Sequence, residues 1–268
     1  MGNGDLETWA ENRPEHVGNM ESASRESGPG SPGPVASSLV GAVLPAGGSG
    51  QRLGGAPKQF RRLGDAPVFV QTARAFARHP EIGAVVVVAP AASVADVRDA
   101  LAAFGVEAVV AVGGATRAES VECGIGALPV AVETVLVHDA VRPFVSADLI
   151  TRVLAAVRAH GAAAAATRVA DTLRRASGER FGPTVERDGV WAMQTPQGAR
   201  RALLAAAYAA RGAAAPTDEA GLLGLAGVAV HVVEGDTRNV KVTTPTDWAL
   251  AEVLWPAWAE ARAGIPRP

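Results

Sequence analysis

The 268-residue chain carries one cysteine, Cys123, so no internal disulfide can form, which suits a reducing cytosol. It has no excess of charge of either sign: Lys and Arg number 25 and Asp and Glu 27, a formal net charge of -2. That excludes a broadly basic surface for nucleic acid or an anionic membrane, so any affinity for anions must come from local clusters. No apolar run approaches the roughly 18 residues of a membrane span, and the alanine-rich stretch Ala162 to Ala166 is far too short. Internal repeats are absent. So are two familiar phosphate-binding patterns. No Lys-Ser or Lys-Thr follows the glycines after Pro45, which excludes a Walker loop, and Gly48-Ser49-Gly50 lacks the third glycine of G-x-G-x-x-G at the required spacing.

What is present is an ordinary globular composition, 48% hydrophobic and 19% charged. The length allows one domain of about 220 residues plus tails. Residues 1–37 are rich in Gly, Pro, Ser and charge and lack the apolar core of a signal peptide, so a disordered N-terminal extension is expected there. The domain is expected over 38–256, with a loose tail over 257–268.

Nearly continuous apolar runs recur at Leu39–Leu44, Ala84–Ala89, Ala108–Val112, Thr134–Val137, Gly161–Ala166 and Val228–Val233. Such runs suit strands covered on both faces. Helical patterns lie between them at Val68–Ala77, Val94–Phe104, Ala118–Leu128 and Ala147–Ala159. The alternation predicts a mostly parallel sheet in a three-layer α/β sandwich, with ligands at the carboxyl ends of the strands. One segment, about 170–192, is too polar for core and predicts a projecting hairpin that packs on a partner.

The chemically suggestive residues follow the strands. Pro45-Ala46-Gly47-Gly48-Ser49-Gly50-Gln51-Arg52 and Pro57-Lys58-Gln59 can form a backbone N–H cradle for polyphosphate, flanked by two positive charges, or simply a glycine-rich turn. Gly113-Gly114 through Arg117 and Ser120 is either an anion-binding helix start or only a capped one. Asp139, in His138-Asp139-Ala140-Val141-Arg142, suits a ribose hydroxyl, a metal ion or a substrate hydroxyl; the alternative is an Asp–Arg surface pair. His138 is assigned no chemistry. Gln194-Thr195-Pro196-Gln197 and Thr217-Asp218-Glu219-Ala220 look singly like turns or helix starts. Lys241, in a Val-Lys-Val run at an apparent strand end, is either an exposed alternate position or a charge aimed into a pocket.

Taken in order from Leu39 to Leu254, these motifs, together with Asp171-Thr172 and Asn239-Val240-Lys241-Val242-Thr243, resemble the 2-C-methyl-D-erythritol 4-phosphate cytidylyltransferase family. The resemblance implies a nucleotidyltransferase-type, Rossmann-like α/β sandwich that forms a cytoplasmic homodimer by exchanging the hairpin arm. It implies CTP and a polyol phosphate as substrates, Mg²⁺ as cofactor, and neither nucleic acid nor membrane as partner. By position, Arg52 and Lys58 match transition-state stabilisers. Ala46, Gly47, Gly48, Gly50, Gly114, Arg117, Ser120, Asp139 and Ala140 match the CTP pocket. Lys241, with Arg187 from the partner's arm, matches the pair that positions the attacking phosphate; Asp139, Thr172, Thr195 and Thr217 match polyol- and phosphate-contacting positions. No metal ligands are implied. A ribitol 5-phosphate cytidylyltransferase, or a non-catalytic nucleotide-binding scaffold, would share most of these motifs. Ala115 stands where many relatives carry a polar residue beside the base-reading segment.

Overall fold

A computed structural model describes residues 39–47, 58–212 and 216–263, all within one compact unit. The N-terminal extension and the glycine loop from Gly48 through Pro57, including Gly50 and Arg52, lie outside the described residues. So does the Lys58 side chain.

Seven strands build the central sheet: β1 (Leu39–Pro45), β4 (Ile82–Ala89), β5 (Val109–Val112), β6 (Val132–Val137), β7 (Ala162–Arg168), β10 (Trp191–Arg200) and β11 (His231–Glu234). Their order is β11-β7-β10-β6-β1-β4-β5. All neighbours run parallel except β10, which lies antiparallel between β6 and β7. Two short strands, β2 (Arg62–Leu63) and β3 (Ala66–Pro67), pair separately, as do β8 (Leu173–Ser177) and β9 (Arg180–Val185) of the hairpin.

The apolar runs work as two-faced strands. On β1, Ala42 and Leu44 point to one layer and Val43 to the other; on β4, Val85 and Val87 oppose Val86 and Val88. One layer holds α1 (Val68–Ala77), α2 (Val94–Ala103) and α4 (Ala147–His160); the other holds α3 (Arg117–Ala127), α5 (Arg201–Ala210) and α6 (Glu219–Leu225). A third cluster seats the last helix, α7 (Pro245–Ala263), through Trp248, Ala251 and Trp258 on Leu63, Phe144 and Val242.

Four expectations are corrected. Gln194 to Gln197 is not a simple turn: it lies inside β10, in a stretch where the pairing with β7 breaks between Met193 and Gln197. The last apolar run forms a strand only from His231; Val228 and Val230, half-buried, pack against the core of the layer that holds α3, α5 and α6. Lys241 ends no strand; residues 240–243 have no regular structure, and Val242 N–H donates to the Val141 carbonyl at 3.0 Å. The tail expected from Ala257 continues α7 through Ala263.

Candidate active site

At the carboxyl end of β6 the parallel pairing with β1 carries on past the strand. His138 N–H donates to the Val43 carbonyl at 3.0 Å, and Ala140 N–H to that of Pro45 at 3.4 Å. The Thr72 hydroxyl, on α1, donates to the Ala140 carbonyl at 2.9 Å. The backbone around Asp139 is therefore held by β1 and α1 before its own side chain acts.

Three cations converge on the Asp139 carboxylate. Lys241 Nζ lies 3.0 Å from Oδ2, Arg142 Nε 3.3 Å from Oδ2 and Arg117 Nη2 3.6 Å from Oδ1. Asp139 is buried, which opposes ionisation, but Lys241, Arg117 and Arg142 outweigh that and hold its pKa down to about 2. Arg117 also makes a two-pronged pair with buried Glu219, at 2.9 and 3.0 Å, and Tyr208 donates to the same carboxylate at 3.3 Å. Burial would lower the Arg117 pKa; Glu219 and Asp139 raise it instead. Three cations thus face two carboxylates, which leaves the cluster net positive at the surface where Lys241 is 44% exposed.

The Lys241 loop is tied to this centre by Asn239. Its amide donates to the Thr195 carbonyl at 2.7 Å, while Arg142 donates to the Asn239 carbonyl at 2.8 Å. Gln194 bridges to Asp236, and Gln197 donates to Asp218, the residue that caps α6. The break in the β10 ladder is what turns Gln194 and Thr195 toward these loops.

Of the residues singled out by sequence, Asp139, Lys241, Arg117, Thr195 and Ala140 come together here. Ala46 is buried at the end of β1, its N–H on the Val88 carbonyl at 2.7 Å, with Gly47 exposed beside it. Gly114 leads into α3, whose first turn is closed by a capping box of Thr116 and Glu119. A side chain at Gly114 would put its Cβ 2.4 Å from that of Glu119, so only glycine lets the loop lie so close to the helix start. The Ser120 hydroxyl donates to the Thr116 carbonyl at 2.9 Å, which leaves its oxygen able only to accept. Thr217 is exposed just before the α6 cap, and Thr172 is exposed just before β8. Arg187, exposed between β9 and β10, donates to the Ala170 carbonyl and makes no ion pair with the Asp139 cluster among the described residues. Lys58 opens a short 3-10 turn, Lys58–Phe60.

The Asp139–Arg142 pair, the alternative to a ligand-facing Asp139, exists, with Asp139 buried and Arg142 half-buried rather than at the surface. Glu219, Asn239 and Gln194 were not foreseen as parts of the centre. Glu219 meets Arg117 across 102 positions of sequence, a separation no local pattern encodes. Among the described residues no group of three His, Cys, Asp or Glu side chains could hold a metal ion, and both Asp139 oxygens already face cations. Among the described residues this donor set does not fit a resident divalent cation.

A mostly parallel α/β sheet places ligands at the carboxyl ends of its strands, where these cations gather, and this architecture is shared with solved nucleotidyltransferases. Residues 40–256 match the family described as 2-C-methyl-D-erythritol 4-phosphate cytidylyltransferase. The chain belongs to that family. A protein of this description from Salinibacter ruber is 51% identical over 223 residues, covering 82% of this chain and 94% of the relative. One from Deinococcus radiodurans is 47% identical over 222 residues, covering 82% and 91%. The crystal structure of 2-C-methyl-D-erythritol 4-phosphate cytidylyltransferase from Thermus thermophilus superposes with a TM-score of 0.67 at 36% identity, over 81% of this chain and 99% of that one.

Proposed function

We propose that this chain transfers CMP from CTP to 2-C-methyl-D-erythritol 4-phosphate, with the Asp139 cluster as the place where the acceptor meets the nucleotide. The reading is carried by one observation: Lys241, Arg142 and Arg117 converge on a single carboxylate at the carboxyl end of β6. A phosphate oxygen of the acceptor attacks the α-phosphorus of CTP, the bond to the β-phosphate breaks, and pyrophosphate leaves. Two anions must approach each other, so the task is neutralising charge and fixing geometry, with no side-chain nucleophile.

In this reading Asp139 holds Lys241 at a fixed point, and the Lys241 charge, half open to solvent, holds the attacking phosphate. The α3 start, from Gly114 through Arg117, takes the nucleotide, and Arg52 and Lys58 neutralise the triphosphate. Because the described donor set suits no resident cation, Mg²⁺ would enter with CTP and supply further neutralisation of the triphosphate charge. The β8–β9 hairpin supports arm exchange: it pairs only with itself, and Phe181 at its far end is 81% exposed. Across a dimer, Arg187 of such an arm would join Lys241 on the acceptor phosphate. Among the described residues no helix is long and apolar enough to cross a membrane.

The test is pyrophosphate release with CTP and Mg²⁺, comparing 2-C-methyl-D-erythritol 4-phosphate with ribitol 5-phosphate at equal concentration. A clear preference for the former is expected. Preference for ribitol 5-phosphate would keep the nucleotide site and replace the acceptor; inertness toward both would leave a nucleotide-binding scaffold.

A further inference from the structure

His138 is fully buried at the end of β6, its ring centroid 4.9 Å from that of Phe76. Each ring nitrogen meets one oxygen: Nε2 lies 3.1 Å from the Arg142 carbonyl and Nδ1 3.1 Å from Thr195 Oγ1. A carbonyl oxygen can only accept, so Nε2 carries a proton. Burial keeps the imidazole neutral, lowering its pKa to about 4 against the opposing pull of the Arg142 carbonyl and Asp139. A neutral ring protonated on Nε2 has a bare Nδ1, which accepts. The Thr195 hydroxyl must therefore donate its only proton to Nδ1. One of its two lone pairs already receives the Asp139 backbone N–H, at 3.1 Å. What Thr195 has left to offer is one lone pair and no proton.

We infer that His138 is a positioning residue that fixes Thr195 as a hydrogen-bond acceptor, so that Thr195 selects a carbon-bound hydroxyl of the acceptor substrate rather than its phosphate. The inference rests on the reading above that Thr195 faces the acceptor. Phosphate oxygens of a monoester at neutral pH are acceptors, and two acceptors set against each other leave both unpaired, a costly arrangement in a water-poor site. A polyol hydroxyl fits, since it brings the missing proton. The acceptor phosphate is then left to Lys241 and its fellow cations, and the two ends of the substrate are distinguished by hydrogen-bond polarity as well as by charge. A threonine whose hydroxyl rotated freely would accept either end.

Two measurements on the full chain test this. Ring ¹⁵N shifts of histidine-labelled protein, with His138 recognised by its contacts to Phe76, are expected to show the Nε2–H form with an unprotonated Nδ1 at neutral pH. An Nδ1–H form would overturn the proposal without reference to any variant. The second measurement is a KM comparison. In His138→Asn the side-chain oxygen can still accept from Thr195, whereas in His138→Gln the amide can reach only the Arg142 carbonyl. His138→Gln is expected to raise the KM for the acceptor about tenfold, with the KM for CTP changed less than about twofold, and His138→Asn to restore most of that loss. Equal effects of the two variants, or equal effects on both substrates, would reduce His138 to packing. Thr195→Ala separates the two layers of the argument. If it leaves the acceptor KM unchanged, Thr195 does not face the acceptor; if it raises that KM while His138→Gln does not, the contact stands and the role of His138 fails.

Discussion

Asp139 gathers three cations because each alone would be poorly placed: two arginines partly withdrawn from water and a lysine on an irregular loop all find their counter-charge in one carboxylate. In the proposed reaction the remaining charges are those of Arg52 and Lys58. The sequence has only two lysines, Lys58 and Lys241, and every other basic side chain is arginine. An ammonium is a compact point charge that meets a phosphate oxygen from many directions, which suits the two positions that the proposed reaction sets against phosphate groups. Lys58→Ala and Arg52→Ala are each expected to lower kcat on the order of 10²- to 10³-fold, with thermal unfolding unchanged; near-normal turnover in a folded variant would remove them from the reaction. His138 sets a second prediction. Its pKa lies at about 4 because burial penalises the charged ring. The unfolded chain takes up a proton near pH 6.5 that the folded chain refuses until pH 4. Stability is therefore fully present above about pH 6.5 and is lost as pH falls toward 4, by on the order of 3 kcal/mol from this residue. His79, lowered chiefly by burial, acts in the same direction. Urea unfolding at pH 7 and pH 5 should show the loss, and a flat profile would mean that His138 is not held neutral.

At the scale of elements, the site depends on how closely α3 approaches the sheet. Gly124 faces β1 and β4, and a Cβ there would fall 2.4 Å from Val43 Cγ1 and 2.7 Å from Val88 Cγ2. The glycine is what lets α3, and with it Arg117, sit close enough to reach Asp139. Gly124→Ala should destabilise the protein by about 1–3 kcal/mol despite the better helix propensity of alanine, and should raise the KM for CTP as α3 is pushed outward. A stabilised variant with unchanged KM would show that the helix is free to shift. The strands and helices of the first two-thirds of the chain were legible because their apolar periods are clean; α1, Val68–Ala77, has the bounds its pattern predicts. β10 was not, since Gln194, Thr195 and Gln197 are polar and the strand is broken where they lie. Polar residues inside a buried strand look like a turn until the loops they bond to are known.

At the scale of the whole molecule, the hairpin is the part that one chain leaves unused. Arg187 donates to the Ala170 carbonyl of its own arm and, among the described residues, makes no ion pair with the Asp139 cluster. If the arm completes a neighbour's site, mixing equal amounts of Arg187→Ala and Lys58→Ala protein should restore up to about a quarter of the activity, because about half of the dimers are hybrids and each hybrid carries one intact site of two. No recovery despite measured subunit exchange would mean that each site is built within one chain.

The sequence by itself determined the alternation of buried strands and amphipathic helices, and with it a mostly parallel sheet whose strand ends carry glycines, Asp139 and basic residues. Those are local properties, set by side-chain period and by the residue types that can follow a strand. Only the tertiary structure decided which charges meet. Glu219 with Arg117, Asn239 with Thr195 and Lys241 with Asp139 are pairs far apart in sequence, joined by the insertion of β10 between β6 and β7 and by the return of the 239–241 loop. Hydrogen-bond polarity at Thr195 belongs to the same class. It follows from which oxygen each nitrogen of His138 meets, a matter of distance in space that no spacing in the chain expresses.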